Sequence, residues 1–147
     1  MQTFLPYADF AESARCLDDK RLGKQLVEVL QILNAILNPT AKGWRNHPAT
    51  NMWRGHELAL IRYGVAICDE WRARGFRDTV REKLLARACE APNAQEPSWL
   101  GIEALHSSHR ANLLRKDLEF YRRHGWTENP ETPYYWPAQL TPATAGS

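Results

Sequence analysis

A chain of 147 residues, 44% apolar and 24% charged, has the composition of a soluble globular protein and is long enough to bury a core. A net charge of +2 argues for no partner by itself, so any nucleic-acid surface has to come from local clustering of bases. Cys16, Cys68 and Cys89 stand far apart, with no CxxC and no histidine pair nearby; this speaks against a disulfide framework and a structural zinc site and predicts small, reduced core groups.

Neither a leader nor an apolar run of membrane length is read in the chain, and a cytoplasmic protein is expected. No repeat is visible. One domain is expected over residues 1–137, with 138–147, uncharged from Ala138 onward, as a frayed tail.

The first helix is predicted to start near Ser13 or Asp18 and to end before Asn38-Pro39, because proline disfavours helix in the residue before it. At about 100° per residue, Leu22, Leu26, Val29, Leu30, Leu33 and Ile36 form a broad apolar arc, with Val27 and Ile32 on its shoulders. What remains is a narrow polar strip: Lys20, Arg21, Lys24, Glu28 and Gln31. One reading of Glu28 is an i,i+4 pair with Lys24 in water. The other is a carboxylate kept ionised among cations that hold phosphates, able to stabilise positive charge on a sugar.

After the loop "NPTAKGWRNHP", a second helix is predicted from Pro48 to Arg74, stopped by Gly75. It places Trp53, His56, Leu60, Ile67 and Trp71 on one face, so His56 is expected to point inward, and Gly64 allows close helix approach. His47 is placed to cap this helix. Thr79 and Glu82 have capping-box spacing and predict a short third helix through about Cys89. The stretch "EAPNAQEPSWLG" reads as a connector.

Ser107 or Ser108 is expected to cap a final helix that ends at Gly125. Arg110 and Asp117 fall inside its apolar arc with Leu113, Leu114, Leu118, Phe120 and Tyr121, either as a structural ion pair or with Arg110 aimed at an anion in a cleft. Arg115, Lys116, Arg122 and Arg123 lie outside the arc, as solvated charges or phosphate contacts. The segment "WTENPETPYYWP" cannot be helical, and its Tyr134, Tyr135 and Trp136 either cover the core or form a stacking surface. The predicted fold is all-α: three main helices and a short one, with an aromatic, proline-rich segment packed on them.

The order "RLGKQLVEVLQILNAI", "GWRNHPATNMWRGHELALIRYG", "EWRARGF", "SHRANLLRKDLEFYRR" and "PYYWP" resembles the pyrimidine-dimer DNA glycosylase, or endonuclease V-like, family, in particular a bacterial branch of it. The resemblance spans nearly the whole chain and is one of motif order. It implies a compact all-α fold whose amino-terminal segment threads between the first two long helices. It also implies removal of a damaged pyrimidine from DNA followed by cutting at the abasic sugar, with no metal or cofactor required.

In that family the α-amine of the chain is the nucleophile and a first-helix glutamate is essential; Glu28 matches the glutamate. The arginines beside it are matched loosely by Arg21 and Lys24, and Leu26 and Val27 stand where related chains carry a base. Tyr134, Tyr135 and Trp136 match the aromatic block that holds substrate. Gln2 is bulky enough to retain the initiator methionine, so the amine is that of Met1.

The resulting expectation is a catalytic pair, Met1 and Glu28, beside a DNA surface made of Lys20, Arg21, Lys24, Arg45, His47, Arg54, His56, Arg110, Arg115, Lys116, Tyr134, Tyr135 and Trp136. An α-amine has a pKa near ~8, so much of it is neutral and nucleophilic near neutrality. The alternatives are a nucleic-acid-binding module of the same fold without catalysis, an enzyme acting on a nucleoside or nucleotide through His56, Glu28 and Arg110, and a structural protein.

Overall fold

In the computed structural model, residues 2–38, 40, 43–91 and 95–137 are described. Asp9 opens α1 (Phe10–Cys16) by accepting a hydrogen bond from the Glu12 N–H at 2.9 Å. Leu17 is extended, which breaks the chain before α2 (Asp19–Leu37). Ser13 and Asp18 therefore mark two helices rather than two candidate starts of one. Asn38, held extended before Pro39, ends α2 where the proline rule places it.

The long second helix is two helices, α3 (Pro48–Trp53) and α4 (Glu57–Ala73). Arg54 is extended and Gly55 takes φ 89°, a left-handed value that costs glycine little. The break rotates His56 off the face of Leu60 and Ile67. It becomes the N-cap residue of α4, half-buried, its Nδ1 3.1 Å from Gln95 O, which corrects the expectation of an inward histidine. His47 does cap α3: its Nδ1 accepts from Ala49 N at 3.0 Å.

A short α5 (Arg81–Ala86) follows, then a 3₁₀ turn (Ala88–Glu90). The capping oxygen is on Asp78, which takes the N–H of Val80 at 2.7 Å, and not on Thr79 as the spacing suggested. Cys16 and Cys68 are buried, but Cys89 sits on the 3₁₀ turn and is exposed, against the expectation of three core thiols.

The last long helix, α6, runs Glu103–Lys116, so Ser107 and Ser108 lie within it and do not cap it. Asp117 interrupts it and caps α7 (Leu118–Tyr121) by accepting from Phe120 N at 3.1 Å. A second 3₁₀ turn (Arg122–His124) stops at Gly125, φ 74°. With Asp117 occupied as a cap, the pair expected with Arg110 does not form. The segment 126–136 is free of helix, as expected, and no strand occurs among the described residues.

The core lies where α4 crosses α2 and α1. Leu22, Val29, Ile32 and Leu33 of α2 meet Leu60, Tyr63 and Ile67 of α4, all fully buried. Each large aliphatic side chain so enclosed contributes roughly 1.5–3 kcal/mol. Gly64 sets the separation: a Cβ there would stand 2.8 Å from Val29 Cγ1 and 2.5 Å from Leu84 Cδ1. The two shoulders of the α2 arc divide, Ile32 fully buried and Val27 54% exposed. No helix of the described residues is long and apolar enough to cross a membrane.

Candidate active site

Residues 2–6 are buried and belong to neither helix nor sheet, which leaves their backbone N–H and C=O groups without ladder partners. Side chains from three helices supply them. From α2, Gln25 Oε1 accepts from Phe4 N at 2.9 Å, and Gln25 Nε2 donates to Gln2 O at 2.8 Å. From α4, the Tyr63 hydroxyl donates towards Phe4 O at 2.7 Å. From α6, His109 Nδ1 accepts from Leu5 N at 2.8 Å, His106 Nδ1 donates to Leu5 O at 2.8 Å, and Arg110 Nη1 donates to Pro6 O at 2.7 Å.

These bonds fix protonation as well as position. His106 Nε2 accepts from Gly101 N at 2.9 Å, so the proton of its neutral ring is on Nδ1. His109 carries its proton on Nε2, an atom with no hydrogen-bond partner among the described residues. Burial lowers both histidines, His109 to about 3. Thr3 Oγ1 completes the anchoring by accepting from the indole of fully buried Trp53 at 2.9 Å.

Glu28 lies at the end of this segment. It is 6% exposed, and its Oε2 accepts from Gln2 N at 3.3 Å and from Gln25 Nε2 at 2.9 Å. Its Oε1 stands 3.9 Å from Lys24 Nζ. The i,i+4 pair exists, but its acid is buried and only its lysine is in water, so it is not the solvated surface pair of the first reading.

Glu28 opens into a cleft of about 260 Å³ lined by Gln2, Phe4, Lys20, Arg21, Lys24, Lys116 and Tyr134. Four cations thus surround one carboxylate. Partial burial, reinforced by Arg21, Arg115 and Lys24, lowers the Lys116 pKa. Burial pushes the Tyr134 phenol up to about 12, so it stays a hydrogen-bond donor on the wall. Arg21 also pairs with Asp18 at 3.3 Å.

The fold therefore brings together Glu28, Lys20, Arg21, Lys24, Lys116 and Tyr134 of the residues expected from sequence. Met1 lies outside the described residues. Arg115 is exposed beside Lys116 and bonds Asn112. Tyr135 and Trp136 pack half-buried on the core; Tyr135 N donates to Ser108 Oγ at 3.0 Å, and the Trp136 ring lies between Tyr134 and His47. Arg45 and His47 line a separate groove with Trp44, and Arg54 and His56 line another with Trp99. Arg110 is not on the cleft wall: its guanidinium is taken by Glu128 at 2.8 Å, by Glu103 and by Pro6 O.

Gln25, Tyr63, His106 and His109 escaped the sequence reading, and Gln2 entered it only as the residue after Met1. Gln25 sits three residues before Glu28 on the same side of α2, and that spacing was the one available signal.

No curated protein and no solved structure matches the chain. The family model of pyrimidine dimer DNA glycosylases matches residues 1–84, which hold the buried amino-terminal segment, Gln25, Glu28, Tyr63 and three of the four cleft cations; Lys116 and the aromatic wall lie beyond it. That match covers more than half of the chain, and with the acid buried in a basic cleft it places the protein: the chain belongs to the pyrimidine dimer DNA glycosylase family, DNA-repair enzymes whose substrate is DNA.

Proposed function

We propose that this protein is a DNA glycosylase with an abasic-site lyase step, using the α-amine of Met1 as nucleophile and Glu28 as the carboxylate that stabilises the cationic sugar. The observation that carries the reading is the 3.3 Å hydrogen bond from Gln2 N to Glu28 Oε2. It holds Gln2, the residue bonded to Met1, against Glu28, the one carboxylate of the cleft lining among the described residues.

The amine lone pair attacks C1′ as the glycosidic bond breaks, and the base leaves with the electron pair of that bond and takes a proton. The attached nitrogen loses a proton and its lone pair breaks the C1′–O4′ bond, so that O4′ is protonated and the sugar opens to an iminium. The iminium makes the C2′ proton acidic; its loss drives β-elimination, the C3′–O bond breaks, and the 3′ phosphate departs with that electron pair. Glu28 Oε1 stabilises the charge on the sugar and then on the iminium. Lys20, Arg21, Lys24 and Lys116 hold the flanking phosphates, and Tyr134 offers a ring face to a base out of the stack. Arg45, His47, Arg54, His56, Arg110, Arg115, Tyr135 and Trp136 extend or support this surface, within one helical domain over residues 1–137 working in the cytoplasm.

The test is borohydride trapping on a duplex carrying an abasic site. A covalent adduct is expected with the wild type, lost when the α-amine is blocked and in Glu28→Gln. Binding that weakens with salt and yields no adduct overturns the catalytic reading in favour of a binding module. An adduct that survives blocking of the amine assigns the nucleophile to a lysine.

A further inference from the structure

All four hydrogen-bonding positions of the Gln25 carboxamide face a partner. Its two N–H groups go to Gln2 O at 2.8 Å and Glu28 Oε2 at 2.9 Å. Its oxygen receives Phe4 N at 2.9 Å and faces the Tyr63 hydroxyl at 2.8 Å, whose single proton is shared with Phe4 O at 2.7 Å. The orientation is dictated by chemistry, because a flipped amide would aim N–H at the Phe4 N–H and oxygen at two acceptors. Gln25 is 1% exposed, so water cannot replace a lost partner cheaply.

Among the twenty side chains this position accepts few. Glutamate has the shape but, when ionised, turns an oxygen towards Gln2 O and towards a second carboxylate. Methionine and leucine fill the volume and satisfy none of the four groups. Glu28 Oε2 draws both its donors from this arrangement, Gln2 N directly and Gln25 Nε2, while Oε1 is the oxygen turned to Lys24.

We propose that Gln25 is the positioning residue of this site: one carboxamide locks the backbone of residues 2–4 and one oxygen of Glu28 in a single frame, holding Gln2, the residue next to Met1, against the carboxylate. This rests on the reading of Glu28 as the acid of the reaction. Gln25 touches no reacting atom and acts through Glu28 and Gln2. Among the described residues, the charged or titratable groups facing the frame are Lys20, Arg21 and Lys24 from α2, Lys116 from α6, Tyr63 from α4 and Tyr134 from the carboxy-terminal segment.

The test compares wild type with Gln25→Glu in single-turnover trapping with cyanoborohydride on an abasic duplex. The ratio of variant to wild-type rate is followed from about pH 5.5 to about pH 8, at temperatures where circular dichroism shows both folded. An ionised glutamate at position 25 removes the donor to Glu28 Oε2, and at the alkaline end the ratio is expected near or below one-tenth. Protonation of the introduced carboxyl restores a donor, and the ratio rises several-fold towards about pH 5.5. A ratio that is flat with pH, or that stays at one, overturns the proposal.

Gln25→Met provides an arm that needs no chemistry. Amide hydrogen exchange at Phe4 is expected to speed up by tenfold or more while the amides of Leu60 and Ile67 keep their protection. Unchanged Phe4 exchange overturns the frame. Absence of any wild-type adduct would sink the amine mechanism, and the Phe4 exchange rates would then decide the role of Gln25 by themselves.

Discussion

Replacing His109 by asparagine isolates one proton. His109 is fully buried, accepts from Leu5 N through Nδ1, and is lowered by burial to about 3 from an ordinary value of 6.5. Between these values the unfolded chain holds a proton on this ring and the folded chain does not. Stability is therefore present above pH 6.5 and falls as pH drops, by about 1.4 kcal/mol per unit, or about 3 kcal/mol from neutrality to pH 4.5. Asparagine places Oδ1 near the position of Nδ1, keeps the Leu5 bond and cannot titrate.

His109→Asn is expected to be about 1–3 kcal/mol less stable than wild type at pH 7.5, because the ring's edge contacts with Phe4 and Tyr134 are lost. By pH 4.5 that gap should close, or reverse in sign by up to about 2 kcal/mol. Urea unfolding followed by circular dichroism at four pH values reads it directly. Groups remote from His109 contribute alike in both proteins and cancel in the difference. A gap that stays constant across the window would refute the reasoning, since it would mean that His109 is protonated alike in folded and unfolded chains.

Gly64→Ala gains about 1 kcal/mol of helix propensity but drives a methyl into Leu84 and Val29, a conflict worth about 1–3 kcal/mol, so a lower melting temperature is expected and a higher one would show that α2 and α4 can separate freely. Lys24→Ala and Lys116→Ala are each expected to lower the slope of log affinity for duplex DNA against log salt by about one. Arg110→Ala should leave that slope unchanged and lower stability instead, because its guanidinium is spent on Glu128, Glu103 and Pro6 O; a changed slope would return Arg110 to the DNA surface.

What the sequence disclosed, and what it hid, divides along locality. The start of α2 at Asp18, its end before Pro39, the His47 cap and the need for glycine at 64 follow from rules that act within one turn or across one helix face. The break at Gly55 was hidden because an apolar period continues across it, and only the positive φ of that residue separates α3 from α4. Spacing offers Arg110 either Asp117 or an anion in a cleft, yet its partners include Glu128, brought in by the chain's return past α6. Gln25 and His109 looked like ordinary polar residues because nothing near them in sequence announces that residues 2–6 will lie across them. Glu28 could be singled out as the lone acid of a basic strip, but its burial depends on the same non-local segment.

That segment explains why so much polarity sits in this core. Gln25, Tyr63, His106, His109 and Arg110 each answer a backbone group of residues 2–6, and a neutral or outward-reaching side chain suffices for each. Glu28 is the exception. A glutamine could accept the Gln2 and Gln25 N–H groups equally well, and a buried carboxylate costs more to desolvate than an amide. If charge is kept there for chemistry, Glu28→Gln should abolish the trapped adduct while leaving urea stability within about 1 kcal/mol of wild type, or above it. A loss of more than about 2 kcal/mol would instead make the charge a structural partner of Lys24 and of the basic cleft. Measured on the same samples, stability and adduct separate the two origins of the charge, because a carboxylate kept for the fold cannot be removed without harm to it.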